Sequence, residues 1–398
     1  MLTIPVAKQQ TSRRMAWLDA LRGIAAVVVV FEHAFKFLLP EARMPVKAVF
    51  EPGWYGVMVF FLVSGYIVPA SLERRGSVRA FWISRLLRLY PLFGVCAAGV
   101  ALLMAAGWDG LHIWWSSRPI SMTLGHLTML QNLLYMPNLV NVLWTLSYEM
   151  AFYLLVTAMF SLGVHRRSSA GVLGFTVSAV LGAGTLPVAL LSAGGSGRML
   201  AVALAVATLV ATGLTAVLAG SGRVRQAGAV VIGVTVLALL AVNQSYPAPG
   251  QGLLILATMF AGTALYRAEQ GEISWKEAGW VVLVPLAGIW LARGEFGLQT
   301  AIAAAWITFV AGMALRRRRV PEVLSWLGLI SYSIYLLHPL LLESVERFWP
   351  EPLVVPLGLR LLALAGVVGL LLGISTLTQR FVEAPAQRLG KRLISGDG

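Results

Sequence analysis

The stretch LDALRGIAAVVVVFEHAF, Leu18 to Phe35, governs the interpretation of the whole chain. It is an apolar run of bilayer-spanning length, yet Asp19, Arg22 and His33 sit inside it. Arg22 and His33 are eleven residues apart. Eleven steps of about 100° make about three turns, so in a helix both side chains share one face, about 16 Å apart along the axis. Asp19 falls within about 60° of that stripe, and Ala26 lies on it between the two, leaving space that a leucine would fill. Glu32 points about 100° away from His33 and is the weaker candidate. Ionisable groups in a membrane helix are costly enough that functional work is the first hypothesis for them.

Over the full length, 58% hydrophobic and 12% charged residues in 398 positions, with a mean hydropathy of +0.79, exclude an ordinary soluble protein. Apolar runs of spanning length alternate with short polar clusters, and the segmental alternation of a β-barrel is absent. The expected fold is all-α, a polytopic integral membrane protein with about ten to twelve transmembrane helices. The spans are predicted at 18–39, 54–72, 86–107, 144–163, 169–191, 199–219, 226–243, 251–267, 278–292, 297–315, 322–343 and 357–379. The formal charge of +14 is distributed in clusters between these runs, which fits topology and not nucleic acid. Arg13 with Arg14, Arg74 to Arg88, His165 to Arg167, Arg223 with Arg225, Arg267, Arg316 to Arg319 and Arg380 to Arg392 mark cytoplasmic segments by the positive-inside rule. Arg198 and Arg293 are the exceptions. Both termini are then cytoplasmic. Residues 1–17 form an N-terminal segment, 18–380 a single transmembrane domain and 381–398 a C-terminal tail. The lone Cys96 excludes an internal disulfide, the first apolar run is too long for a cleavable signal peptide, and there is no metal-type Cys/His cluster or Walker-type loop. Residues 165–320, rich in Ala, Val, Gly and Leu, read as scaffold.

Three titratable groups are predicted at one depth. His33 and His338 lie equally far along two outward-running spans, and Glu149 is about a turn and a half from the outer end of an inward-running one. A second cluster, Arg74, Arg75, Arg79, Arg85 and Arg88, belongs to the cytoplasmic side, where arginine's fixed fork suits phosphate. Plainer readings stand beside these. The arginines also fit topology determinants and lipid-headgroup contacts, and Arg22 fits snorkelling. His33 and His338 fit interhelical hydrogen bonds, and Glu149 fits an ion pair with an interfacial arginine. Ser64 and Gly65 in FFLVSGY fit close helix packing, and Trp54, Tyr55, Trp108, Trp114 and Trp115 fit an aromatic belt or a sugar-stacking platform.

Taken together, LDALRG with His33 eleven residues beyond Arg22, FFLVSGY (60–66), RLLRLYP (85–91), WTLSYEMAFYLL (144–155), SYSIYLLH (331–338) and FVEAP (381–385) resemble the acyltransferase-3 family of integral-membrane acyltransferases, in the family's order. The resemblance implies transfer of an acyl group, commonly acetyl, from cytoplasmic acyl-CoA to a hydroxyl of a glycan, glycolipid or macrolide-like metabolite, in the inner membrane of a bacterium. It implies acyl-CoA as co-substrate, no bound cofactor and no metal. Arg22 and His33 are its core, Arg85 and Arg88 match the motif of the CoA end, and Arg22 is expected to join them in binding the CoA phosphates. His33 is expected to act as general base or acyl-carrying nucleophile, with Glu149 orienting it or the acceptor, Asp19 positioning Arg22, and His338, Ser64, Tyr148 and Tyr335 as acceptor-side or supporting residues. The pantetheine arm is expected to pass up the stripe at Ala26. The chain departs from the usual family form at Tyr148-Glu149-Met150, and with no hydrolase-like domain after FVEAP it is expected to deliver the acyl group directly. A proton-coupled transporter or flippase with a His33, Glu149 and His338 relay is the rival class.

Overall fold

The computed structural model describes residues 6–107, 112–291, 295–348 and 351–395. Trp108 and Arg293 lie outside the described residues, as do the side chains of Arg13 and Arg14. The helices are α1 (Val6–Leu38), α2 (Pro40–Val49), α3 (Pro52–Arg75), α4 (Val78–Ala105), α5 (His112–Ser117), α6 (Pro119–Leu127), α7 (Trp144–Ser161) and α8 (Ser168–Leu181). They continue with α9 (Ser196–Ala219), α10 (Gly222–Val242), α11 (Pro249–Glu269), α12 (Trp275–Leu291), α13 (Phe296–Ala314), α14 (Glu322–Phe348), α15 (Leu357–Thr378) and α16 (Ala384–Ser395). No strand occurs among the described residues, and 8 of their helices are long and apolar enough to cross a membrane. The protein is the all-α polytopic membrane protein that its hydropathy predicts.

Each predicted span coincides with one helix, and the main departure is 169–191. Helix α8 stops at Leu181. Gly184, Gly194 and Gly195 then take positive φ, a backbone that glycine adopts without steric cost, and the chain turns where the hydropathy alone continues. Arg198 answers this turn, its guanidinium donating to the carbonyls of Leu190 and Leu191, both at 2.8 Å.

The chain divides into two compact units. The first comprises residues 1–63, 88–96 and 294–389. Its central feature is the pairing of α1 with α14, which lie side by side with almost no side chain between them at one point. A Cβ built on Gly23 would come within 2.8 Å of the Gly328 nitrogen and of Leu327 Cβ. Glycine at both positions is what lets the backbones approach this closely. Beyond that crossing, Ala34, Phe37 and Leu38 of α1 pack with Leu342 of α14 and Leu364 of α15. Trp17 meets Phe309 of α13 edge-on at 5.5 Å, and the Tyr55 hydroxyl donates to Thr308 Oγ1 at 3.1 Å. Arg360, buried at the start of α15, donates to Leu38 O at 3.1 Å and to Glu41 at 2.8 Å, fixing the bend between α1 and α2.

The second unit comprises residues 64–87, 97–293 and 390–398. Gly65 of α3 lies against the backbone of Met259 in α11, and Thr263 Oγ1 donates to the Gly65 carbonyl at 2.8 Å. The close packing predicted for the Ser64-Gly65 pair is therefore present. Trp82 Nε1 donates to Thr157 Oγ1 at 3.1 Å, joining α4 to α7. The irregular segment before α7 is held by buried polar side chains: Asn243 accepts from the backbone N–H groups of Leu191 and Ser192, both at 2.9 Å, and donates to Leu133 O at 2.9 Å.

Candidate active site

In the first unit, the seam between α1 and α14 carries two histidines whose ring centroids are 4.9 Å apart at an interplanar angle of 68°. They are His33 and His338, which the sequence places at one depth. Their tautomers follow from their partners. His33 Nδ1 lies 2.9 Å from Val29 O and His338 Nδ1 lies 3.1 Å from Ile334 O. A carbonyl only accepts, so both Nδ1 atoms carry the hydrogen, and in the neutral ring each Nε2 presents a lone pair. His338 is fully buried and its Nε2 has no hydrogen-bond partner, an orphan that buried polar groups rarely are. Tyr335 lies nearby, its ring tilted to His338 at 6.1 Å and edge-on to Phe60 at 5.4 Å.

Glu32 departs from the reading that turned it away from His33. Its Oε2 is 3.2 Å from His33 Nδ1, and its Oε1 is 3.1 Å from Lys47 Nζ on α2. The Cβ directions do differ by about 100°. A glutamate has enough torsions to fold back along the helix, and Gly53 opposite it leaves room for the carboxylate, since a Cβ there would lie 3.4 Å from Oε2. Glu51 lies in the same field, with burial and the neighbouring Glu295 and Glu32 pushing its carboxyl up against the opposing pull of Lys47 and Arg43.

Arg22 occupies different surroundings from His33. Asp19 lies in the field of Arg22 and Arg88, and so does Glu383 of the π-helical turn Gln379–Glu383. Glu383 is buried and accepts from Ser333 Oγ at 2.5 Å, while Thr378 Oγ1 donates to Ser333 Oγ at 2.8 Å. Two carboxylates thus accompany two guanidiniums at the basic end of α1. Ala26, placed on the stripe toward His33, is fully buried, so the expected passage for a pantetheine arm is occupied by packing at that point.

In the second unit, Glu149 receives two hydroxyls on one oxygen. Tyr153 donates to Oε1 at 2.5 Å and Ser64 at 3.3 Å, which leaves Oε2 for another donor. Tyr148, next in sequence, is committed elsewhere: its hydroxyl donates to Gln244 Oε1 at 2.6 Å, a bond that supports the loop around residue 244. Arg85 is 9% exposed, donates to Ser71 Oγ at 3.3 Å and lies over the rings of Phe81 and Tyr153, each at 5.6 Å. Aromatic faces hold this cation where a carboxylate would neutralise it. Arg75, Arg79 and Lys391 line a cavity of about 530 Å³ together with Ser77 and Ser395. Sequence reading singled out the arginines here but had no means of finding Lys391, which comes from the far end of the chain. No group of three or more His, Cys, Asp or Glu side chains among the described residues is arranged to hold a metal ion.

A family model described as an acyltransferase domain matches residues 15–378. The chain is 30% identical over 179 residues to nodulation protein 10 of Rhizobium leguminosarum bv. viciae, covering 41% of this chain and 48% of that protein. It is also 30% identical over 158 residues to an acyltransferase of Streptomyces mycarofaciens, covering 35% of this chain and 38% of the relative. The chain therefore spans less than half the length of these curated relatives. No solved structure matches it.

Proposed function

The chain belongs to the acyltransferase-3 family, and on that basis we propose that it is a membrane O-acyltransferase that moves an acyl group, acetyl first among the candidates, from acyl-CoA to a hydroxyl-bearing glycan, glycolipid or glycosylated metabolite in the inner membrane of a bacterium. The observation that carries this reading is the tautomer of His33: with Nδ1–H tied to Val29 O, its Nε2 lone pair is the basic atom. In the proposed step Nε2 takes the proton of the acceptor hydroxyl, whose oxygen bonds to the thioester carbonyl carbon. The carbon–sulfur bond breaks, and the imidazolium returns its proton to the departing thiolate. Imidazole suits both transfers because its ordinary pKa is close to neutrality.

His338 supports the reading with its buried, unpartnered Nε2 beside His33, a place for an acceptor hydroxyl to donate. Glu149 Oε2 is assigned to a second acceptor hydroxyl. The cationic cavity lined by Arg75, Arg79 and Lys391 has the charge that a CoA polyphosphate requires, and Arg85 adds to it without a carboxylate to cancel it. Arg22 and Arg88, each accompanied by Asp19 and Glu383, are assigned to holding the helices together rather than to the phosphates.

The test is incubation of purified protein in lipid vesicles with radiolabelled acetyl-CoA and an extract of envelope glycans and glycolipids. Thiol release with label transferred to an ester is expected, and His33→Ala is expected to abolish both while inserting normally. A wild-type protein that neither binds nor consumes acetyl-CoA overturns the reading, as does a His33→Ala variant with normal turnover.

A further inference from the structure

We propose that Glu32 is the positioning residue of His33, and that Glu32 and Lys47 together form an ion-paired backing for the imidazole. The inference rests on the reading of His33 as the base. Its geometry is independent of that reading: Glu32 Oε2 is 3.2 Å from His33 Nδ1, Glu32 Oε1 is 3.1 Å from Lys47 Nζ, and Glu32 is 7% exposed. A buried carboxylate needs a partner, and this one has a cation on one oxygen and an imidazole on the other.

Val29 O holds the hydrogen on Nδ1, and Glu32 Oε2 lies 3.2 Å from the same nitrogen, at ion-pair distance from a protonated ring. The carbonyl fixes the tautomer, and the carboxylate does something the carbonyl cannot. When Nε2 takes the acceptor proton the ring becomes a cation, and the Glu32 carboxylate 3.2 Å from Nδ1 becomes its ion-pair partner. An interaction that strengthens as the transition state forms lowers the barrier without tightening substrate binding. Lys47 opposes this, because its charge lies behind the carboxylate and weakens the field that the ring feels. The pair therefore places two opposed charges behind the ring. Glu32 favours the imidazolium, Lys47 restrains it, and His338, 4.9 Å away, contributes a neutral ring. Glu51 lies in the field of both Glu32 and Lys47, with Glu295 and Arg43 acting on Glu51 in turn, and Lys36 follows Glu32 by one turn of α1.

The experiment measures Glu32→Gln and Lys47→Met beside His33→Ala, all in lipid vesicles with acetyl-CoA and the envelope extract. Glu32→Gln is expected to lower kcat on the order of 10²-fold with the KM for acetyl-CoA unchanged. A second readout needs no turnover: diethyl pyrocarbonate modifies neutral imidazole, so the pH midpoint of His33 modification, read by mass spectrometry, reports the ring's basicity. Glu32→Gln is expected to move that midpoint down and Lys47→Met to move it up, since removing an anion and removing a cation act with opposite sign. Glu32→Asp is expected to restore part of the lost kcat. A role confined to folding would move neither midpoint. Unchanged midpoints in both variants, or a Glu32→Gln enzyme with normal kcat, overturn the assignment. If His33→Ala is inactive while Glu32→Gln is normal, only the Glu32 assignment falls. If His33→Ala remains active, it is the reading of His33 as the base that falls.

Discussion

His33 and His338 each stand ten residues beyond the glycine at which their helices touch, Gly23 on α1 and Gly328 on α14. Equal steps of about 15 Å along neighbouring helices that run the same way deliver the two rings to one level. The pairing of the histidines is therefore a property of the glycine crossing below them.

Gly23→Ala should separate the two helices. The added methyl would meet backbone nitrogen at 2.8 Å, and a backbone cannot turn aside as a flexible side chain can. The expected cost is about 1–3 kcal/mol of stability together with a marked loss of turnover, as the rings move apart. Gly94→Ala is the control, because a Cβ there meets nothing within 4 Å. Tryptophan-monitored unfolding in detergent and acetyl transfer, measured on both variants, check this. A Gly23→Ala protein as stable and active as the control would contradict it.

Glu149→Gln should reduce acceptor-dependent turnover while preserving insertion, since the amide cannot be an acceptor at both terminal positions. Tyr153→Phe removes one of the two hydroxyls that hold Oε1 and should have a smaller effect of the same kind. Initial rates at varied acceptor concentration separate the two variants; identical losses would argue for a role in packing.

Arg79→Gln combined with Lys391→Gln should raise the KM for acetyl-CoA about tenfold, the loss of about one phosphate contact's charge-assisted bonding, and leave kcat near its normal value. The wild-type KM should itself rise with salt, and the double variant should show a shallower dependence. A double variant with the wild-type salt profile would remove the cavity from consideration as the phosphate site.

His126 makes the segment before α7 acid-sensitive. Its Nδ1–H donates to Met122 O at 2.8 Å and its Nε2 accepts from the Leu139 N–H at 3.0 Å, so only the neutral ring fits, and burial pushes its pKa down from 6.5 to about 4. The unfolded segment binds the proton first. Its stability is therefore complete above about pH 6.5 and declines as pH falls toward 4, by about 3 kcal/mol in total. Hydrogen exchange of residues 119–139 between pH 7.5 and 4 should show protection disappearing over that window, and a flat profile would refute the assignment.

Much of the fold was legible in the sequence because the membrane imposes a simple rule: apolar runs satisfy their own backbone and become helices. The level shared by His33 and His338 followed from counting residues along two runs. Their contact did not, because the choice of α14 as the neighbour of α1 rests on Gly23 and Gly328, which are 305 positions apart. Glu32 was undervalued for a different reason. A helical wheel places Cβ atoms, whereas the carboxylate lies further out along the side chain and is drawn by Lys47 from another helix. Arg22 looked like a donor contact until Glu383, from a π-turn no hydropathy plot reveals, was seen beside it.

That turn also lets the chain carry an extra residue without redirecting the C-terminal helix. A π-turn accommodates one more residue than the α-helix around it, so excising a single position between Gln379 and Glu383 would let the helix close into regular geometry with α16 leaving it in nearly the same direction. Length and hydropathy would hardly change. The loss would be local: with the bulge flattened, the Glu383 carboxylate would no longer be carried to Ser333, so the extra residue serves the buried hydrogen bond and not the course of the helix.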